Sequence, residues 1–120
     1  MTAPGPRVFS AAYVQVAAEL LGILSHETRL RLVLALAQGP ATVSELCEAL
    51  GLVPSNASHH LGILRAARLV VDQREGQFVV YQLNVPVWRQ VADGFFDQLL
   101  AGANEVTLQH FRLSRLPPGG

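Results

Sequence analysis

A chain of 120 residues is one ordinary domain in length, and with half of it apolar and only 15% charged it can build a core and is not a disordered chain. Nine basic and nine acidic residues leave a formal net charge of zero, which excludes a non-specific polycation but not a locally basic face. A single cysteine, Cys47, excludes an intramolecular disulfide, no stretch approaches the roughly 20 apolar residues of a membrane span, and the opening MTAPGPRVFS lacks the order of a signal peptide, so a cytoplasmic protein without a membrane partner is expected.

From Ser10 to Leu24 the apolar residues Tyr13, Val14, Ala17, Leu20, Leu21 and Leu24 recur at spacings of three and four, which predicts a helix with Ser10 as its cap. A second helix is predicted from about His26 to Ala37, with Leu30, Leu34 and Leu36 apolar, Arg29 and Arg31 between them, Ser25 as a weak cap, and Gly39-Pro40 ending it. The segment TVSELCEAL reads as a short third helix. Thr42 and Glu45 stand three apart as in a capping box, Val43, Leu46 and Leu50 form an apolar face, and Gly51 follows where a left-handed conformation costs little. Pro54 suits the first position of a fourth helix that runs to about Ala67.

Beyond it the period changes. Val70 and Val71, then Phe78, Val79, Val80, Tyr81 and Leu83, form two β runs around a hairpin tip at Arg74-Glu75-Gly76-Gln77. After Pro86, VWRQVADGFFDQLLAGA is helical again, striped by Val87, Val91, Phe95, Leu99 and Ala103. The expected fold is mainly α with a β-hairpin wing, in the order α-α-α-α-β-β-α: a winged helix-turn-helix occupying residues 1–120 as one domain. Within it, 42–67 is the helix-turn-helix, 69–84 the wing, 10–24 and 86–104 helices that dimerise, and 1–9 and 113–120 flexible termini.

Placed at about 100° per residue, the fourth helix buries Ala57, Leu61 and Leu64 and turns Ser55, His59, Gly62 and Ala66 outward, with Asn56 and Ser58 on the flanks. Such a small polar face fits a major groove about 12 Å wide, and the helix N-terminus brings free amides to phosphates. A merely solvated helix face is the alternative. Arg74 and Gln77 at the hairpin tip, which can enter a minor groove or clamp a phosphate, favour the groove, and Arg65 and Arg68 near the helix end add phosphate contacts. All nine basic residues are arginine, the residue suited to bidentate phosphate binding. The pair His59-His60 does not form a metal site, because adjacent helical residues diverge by about 100°. His59 is a base or phosphate contact and His60 a packed histidine bonded to a neighbouring helix. Trp88, Phe95 and Phe96 are more apolar surface than a chain this small can cover alone, which predicts a two-fold dimer.

The stretch of about residues 21–84, with its pieces ETRLRL, SELCEALGL, SNASHHL and REGQFVVYQL, resembles the ArsR/SmtB group of bacterial winged helix-turn-helix repressors. The resemblance implies a homodimer, built by the first and last helices, that sits on duplex DNA and blocks transcription until an inducer binds. Ser55, Asn56, Ser58 and His59 match family positions that face the groove, Arg74 and Gln77 match the wing tip, and Arg29 and Arg31 match an element that is partly structural and partly near the DNA backbone. This sequence departs from the family in having Val53 at the cap of the fourth helix, Gly62 where a basic residue is usual and Arg68 where glycine is common. Arsenic and cadmium sensors of the family carry a second cysteine where Ala49 stands, and one thiol cannot replace several. Zinc sensors carry histidines on the last helix, which here has Asp93 and Asp97 and no histidine before His110. No metal site and no cofactor are therefore expected, and the effector is unknown. Cys47 has two readings, a packed small apolar residue or a redox-responsive thiol. A winged-helix module that binds protein rather than DNA is the competing function. No nucleophile–base pair, carboxylate pair or phosphate loop suggests an enzyme.

Overall fold

The computed structural model describes residues 9–101. The chain divides into two units, one through Asn84 and one from Val85.

The first unit opens with α1 (Ala11–Leu24). The Ser10 hydroxyl accepts the Tyr13 amide at 3.1 Å, as the sequence predicts, yet α1 buries none of its residues. In α2 (Glu27–Leu36) the cap is His26, not Ser25: His26 Nδ1 accepts the Thr28 amide at 3.2 Å. Ser25 instead closes α1, its hydroxyl donating to the Gly22 carbonyl at 2.8 Å, because the two helices are joined too tightly for it to serve both. Of the α2 leucines, Leu36 enters the core together with Leu32 and Val33, while Leu30 and Leu34 remain exposed.

A two-residue strand, β1 (Ala41–Thr42), follows. It has no period in the sequence to reveal it and exists because β3 lies alongside. Thr42 also caps α3 (Val43–Leu50) through the predicted capping box: its hydroxyl accepts the Glu45 amide at 3.2 Å, and its own amide donates to Glu45 Oε1 at 2.9 Å. That contact holds the Glu45 carboxyl below the usual carboxylate range, the Thr42 backbone first and its side chain second. Gly51, at φ +67°, turns the chain left-handed out of α3.

The fourth helix, α4 (Pro54–Ala66), starts on Pro54 and buries Ala57, His60, Leu61 and Leu64. Then come β2 (Val70–Glu75) and β3 (Phe78–Leu83), paired antiparallel from Val70↔Leu83 to Glu75↔Phe78. The connecting turn is only Gly76-Gln77, shorter than the four-residue tip expected, so Arg74 and Glu75 lie within the ladder. Positive φ at Gly76 alone (+63°) is the mark of a turn whose twist suits a tight hairpin. β1 joins the free edge of β3, with Ala41 opposite Tyr81, for a sheet order β1-β3-β2. The core of this unit is Leu32, Val33, Leu36, Leu46, Ala57, Leu61, Leu64, Leu69, Val70 and Tyr81, so α2, α3, α4 and the sheet meet around one centre.

The described part of the second unit is one run of helix. It comprises α5 (Val85–Val91), a π-helical segment (Ala92–Phe96) and α6 (Asp97–Ala101). The π segment, absent from the sequence reading, surrounds Gly94. Phe95 and Phe96 meet edge to face at 5.0 Å, and Phe96, Leu99 and Leu100 are exposed. The expected end of this helix at 104, together with Ala103, His110 and both flexible-terminus assignments but for Phe9, lies outside the described residues.

Candidate nucleic-acid interface

The outward face of α4 follows from its inward one. Ala57, Leu61 and Leu64 are 0% exposed, so the helix has no rotational freedom about its axis. Ser55, Asn56, Ser58 and His59 are consequently all turned to solvent. None of the four makes a side-chain hydrogen bond among the described residues. The N-terminus is uncapped, since Val53 offers no side-chain acceptor and Pro54 has no amide. The first helical bond runs from Ala57 to the Val53 carbonyl at 3.0 Å, which leaves the Ser55 and Asn56 amides pointing outward.

Behind this face stands an arginine and histidine buttress. His60 is 7% exposed, a packed residue as its position on the helix predicted. Arg29 Nη1 lies 3.3 Å from His60 Nδ1. A guanidinium can only donate, so Nδ1 accepts and the ring proton sits on Nε2. The His26 ring packs on His60 at 4.4 Å and the His59 ring meets it at 5.1 Å. Burial first, then the charges of His26, Arg29 and His59, push the His60 pKa below the ordinary histidine value. Arg29 Nε also donates to the Ile23 carbonyl in the last turn of α1 at 2.7 Å, and Arg31 Nη2 donates to the Leu50 carbonyl at the end of α3 at 2.7 Å. Each arginine thus satisfies an orphan carbonyl at a helix C-terminus, where a cation is electrostatically favoured. Both serve the fold, and Arg29 ties α1 to α4 through His60.

The wing is tied to the same helix. Arg65 Nη1 contacts Asp72 Oδ2 on β2 at 3.0 Å. Arg74, two residues further on, projects from the same face of the strand as Asp72. It is exposed, as is Gln77 in the turn. Among the sequence-predicted contacts, then, Ser55, Asn56, Ser58 and His59 share one helix face, Arg74 and Gln77 share the end of the hairpin, and Arg65 sits between them in an ion pair. Asp72 and Asn84 were missed. Both act across the end of α4, where neither helical nor strand periodicity relates one residue to the next; opposite charges at Arg65 and Asp72 were the only clue. Cys47 is half-buried on α3 and free. Among the described residues, no three of His, Cys, Asp or Glu are placed to hold a metal ion.

A helix-turn-helix followed by a paired hairpin is also what known proteins of similar sequence share. A profile described as bacterial regulatory protein, arsR family, matches residues 26–71. The SmtB homolog of Synechocystis, a transcriptional repressor, is 39% identical over 92 residues, covering 73% of this chain and 70% of that protein. This chain belongs to the arsR family. The arsenical resistance operon repressor of Escherichia coli is 40% identical over 73 residues, 58% of this chain, and the match spans 62% of that repressor's length. Among solved structures, the homodimeric winged helix-turn-helix DNA-binding domain of a Mycobacterium bovis protein aligns with a TM-score of 0.61 at 30% identity, covering 83% of this chain and 88% of that domain. The fold is thus a winged helix-turn-helix, and the relatives are transcriptional regulators rather than enzymes.

Proposed function

We propose that this arsR-family protein is a transcriptional repressor that binds an inverted-repeat DNA operator as a homodimer and leaves it when an effector binds. The observation that carries this reading is the rigid outward face of α4. Small polar side chains, Ser55, Asn56, Ser58 and His59, stand on a helix locked by three fully buried residues, with unpaired amides at its leading end. Short donors and acceptors on a fixed helix can read base edges, while the amides and the wing residues Arg74 and Gln77 hold phosphates or the minor groove. The Arg65–Asp72 pair is exposed and contributes roughly 1 kcal/mol or less, so a phosphate can compete for Arg65.

The dimer is supported by apolar surface that stands exposed among the described residues. α1 exposes Val14, Val16 and Leu21, and the helical run from Val85 exposes Phe96, Leu99 and Leu100. A two-fold mate covering these would set two recognition helices about 34 Å apart, in successive major grooves. A cytoplasmic location follows from the DNA target; no helix of the described residues is long and apolar enough to cross a membrane. The effector acts by binding two dimer geometries unequally. With Ala49 beside a single Cys47, it does not use a multi-thiol site.

The decisive experiment measures binding of the purified protein to the DNA upstream of its own gene across a range of salt. Affinity that falls steeply with salt supports the reading. A dimer that ignores duplex DNA at low ionic strength supports a protein-binding winged helix instead. Release by a thiol oxidant, lost in Cys47→Ser, would assign effector sensing to Cys47.

A further inference from the structure

The recognition helix ends on a left-handed residue that is not glycine: Arg68 has φ +63°. The chain closes there with the Arg68 amide donating to the Arg65 carbonyl and the Leu69 amide to the Leu64 carbonyl, both at 2.9 Å. This is the Schellman arrangement, with buried Leu64 and Leu69 as its apolar contact and Arg68 at the position glycine normally takes, because a Cβ there crowds the following carbonyl. Asn84 holds the strained residue in place, its Nδ2 donating to the Arg68 carbonyl at 2.9 Å and its amide to the Leu69 carbonyl at 3.1 Å. The backbone is therefore set by its surroundings, and nothing in the fold requires an arginine side chain. That side chain is exposed, and its guanidinium makes no hydrogen bond or ion pair among the described residues, whereas nearby Arg65 is occupied by Asp72.

Its position suggests what the guanidinium is for. In the proposed complex α4 lies in a major groove and the wing reaches the adjacent minor groove, and a single sugar–phosphate strand separates the two. The chain passes from one element to the other through residues 67–69. We propose that Arg68 binds a phosphate of that intervening strand, and that the strained backbone serves to place a guanidinium at the helix–wing junction; this rests on the DNA-binding reading. Residues held in sparsely populated conformations cluster at functional sites, and here glycine would relieve the strain.

The test sets two readouts against each other. R68G and R68K are compared with the native protein for melting temperature and for affinity to a mixed-sequence duplex between about 50 and 200 mM salt. R68G melts higher, by roughly 4 °C or more, because the strain is gone. Yet it binds about tenfold more weakly, with a log–log salt slope smaller by about one per protomer, and the loss is the same on operator and unrelated sequence. R68K, which keeps the charge and the strain, retains the slope. If R68G binds like the native protein, or melts lower because the arginine serves the fold, the inference is overturned and the DNA-binding reading stands. If the native protein shows no salt-dependent affinity for any duplex, both fall.

Discussion

Helices α1 and α4 are nearly the same length, 14 and 13 residues, and they use their surfaces in opposite ways. The α1 sequence AAYVQVAAELLGIL has one charged residue and buries nothing. The α4 sequence PSNASHHLGILRA, far more polar, buries four residues and anchors the core. Hydrophobic composition alone would have ranked them the other way. What decides is company: α4 is packed by α2, α3 and the wing, while α1 packs chiefly against α2 at its end, half-burying Ile23 and Leu24 beside the carbonyl that Arg29 grips. The polar helix is packed within its own unit and keeps a polar outer face. The apolar helix leaves Val14, Val16 and Leu21 exposed, the surface that the proposed second copy would cover.

The largest effect expected from this contrast is in the core. Leu61→Ala removes a fully buried side chain and should lower stability by about 2–5 kcal/mol in urea denaturation; a loss under ~1 kcal/mol would mean that α4 is not the anchor. Replacing Val14 and Leu21 of α1 by glutamate should instead leave each chain folded and weaken self-association by about 2 kcal/mol or more, seen by sedimentation as monomer. An unchanged mass would remove α1 from the interface. His59→Ala should keep stability within about 0.5 kcal/mol while costing roughly 1–3 kcal/mol of discrimination between operator and altered sequence. Thr42→Ala removes the side-chain half of the α3 capping box and should cost about 1 kcal/mol, while the Glu45 carboxyl moves only part of the way back toward the ordinary range in an NMR titration, because the backbone amide at 42 still donates to it.

The smallest effect is a slope. His60 takes up its proton near pH 6.5 in the unfolded chain and at lower pH in the folded one. Its contribution is therefore complete above about pH 6.5 and is lost as pH falls toward and through the folded value, because the unfolded state then binds more protons. Denaturation midpoints taken down to about pH 5.5 should decline in the native protein, and that part of the decline should vanish in His60→Gln.

Much of this was legible residue by residue. The spacing of Ala57, Leu61 and Leu64 marked the buried side of α4 and so exposed Ser55, Asn56, Ser58 and His59. Thr42 with Glu45, Gly51 and Pro54 marked the turn between α3 and α4, because capping and left-handed turns are chemistry within a few residues. Other features were not visible. His26 rather than Ser25 caps α2, and Arg74 lies in the strand rather than the turn, because one-residue shifts at element ends depend on how the neighbours pack. The β1 strand is two residues long and exists only through its partner. The buttress of Arg29, His26 and His60 spans 35 residues of chain, a separation over which no local pattern operates.

Order and type of the elements, the facing of the recognition helix and the chemistry of its exposed side chains came from the amino-acid sequence alone, since each rests on periods of two or 3.6 residues and on turn residues with local preferences. The tertiary structure alone decided which arginines are free. Arg29 and Arg31 are spent on helix ends, Arg65 is paired with Asp72, and Arg68 and Arg74 remain without a protein partner among the described residues. In sequence all five are the same cation, and only distance to a carbonyl or carboxylate distant along the chain separates an arginine spent on the fold from one left free.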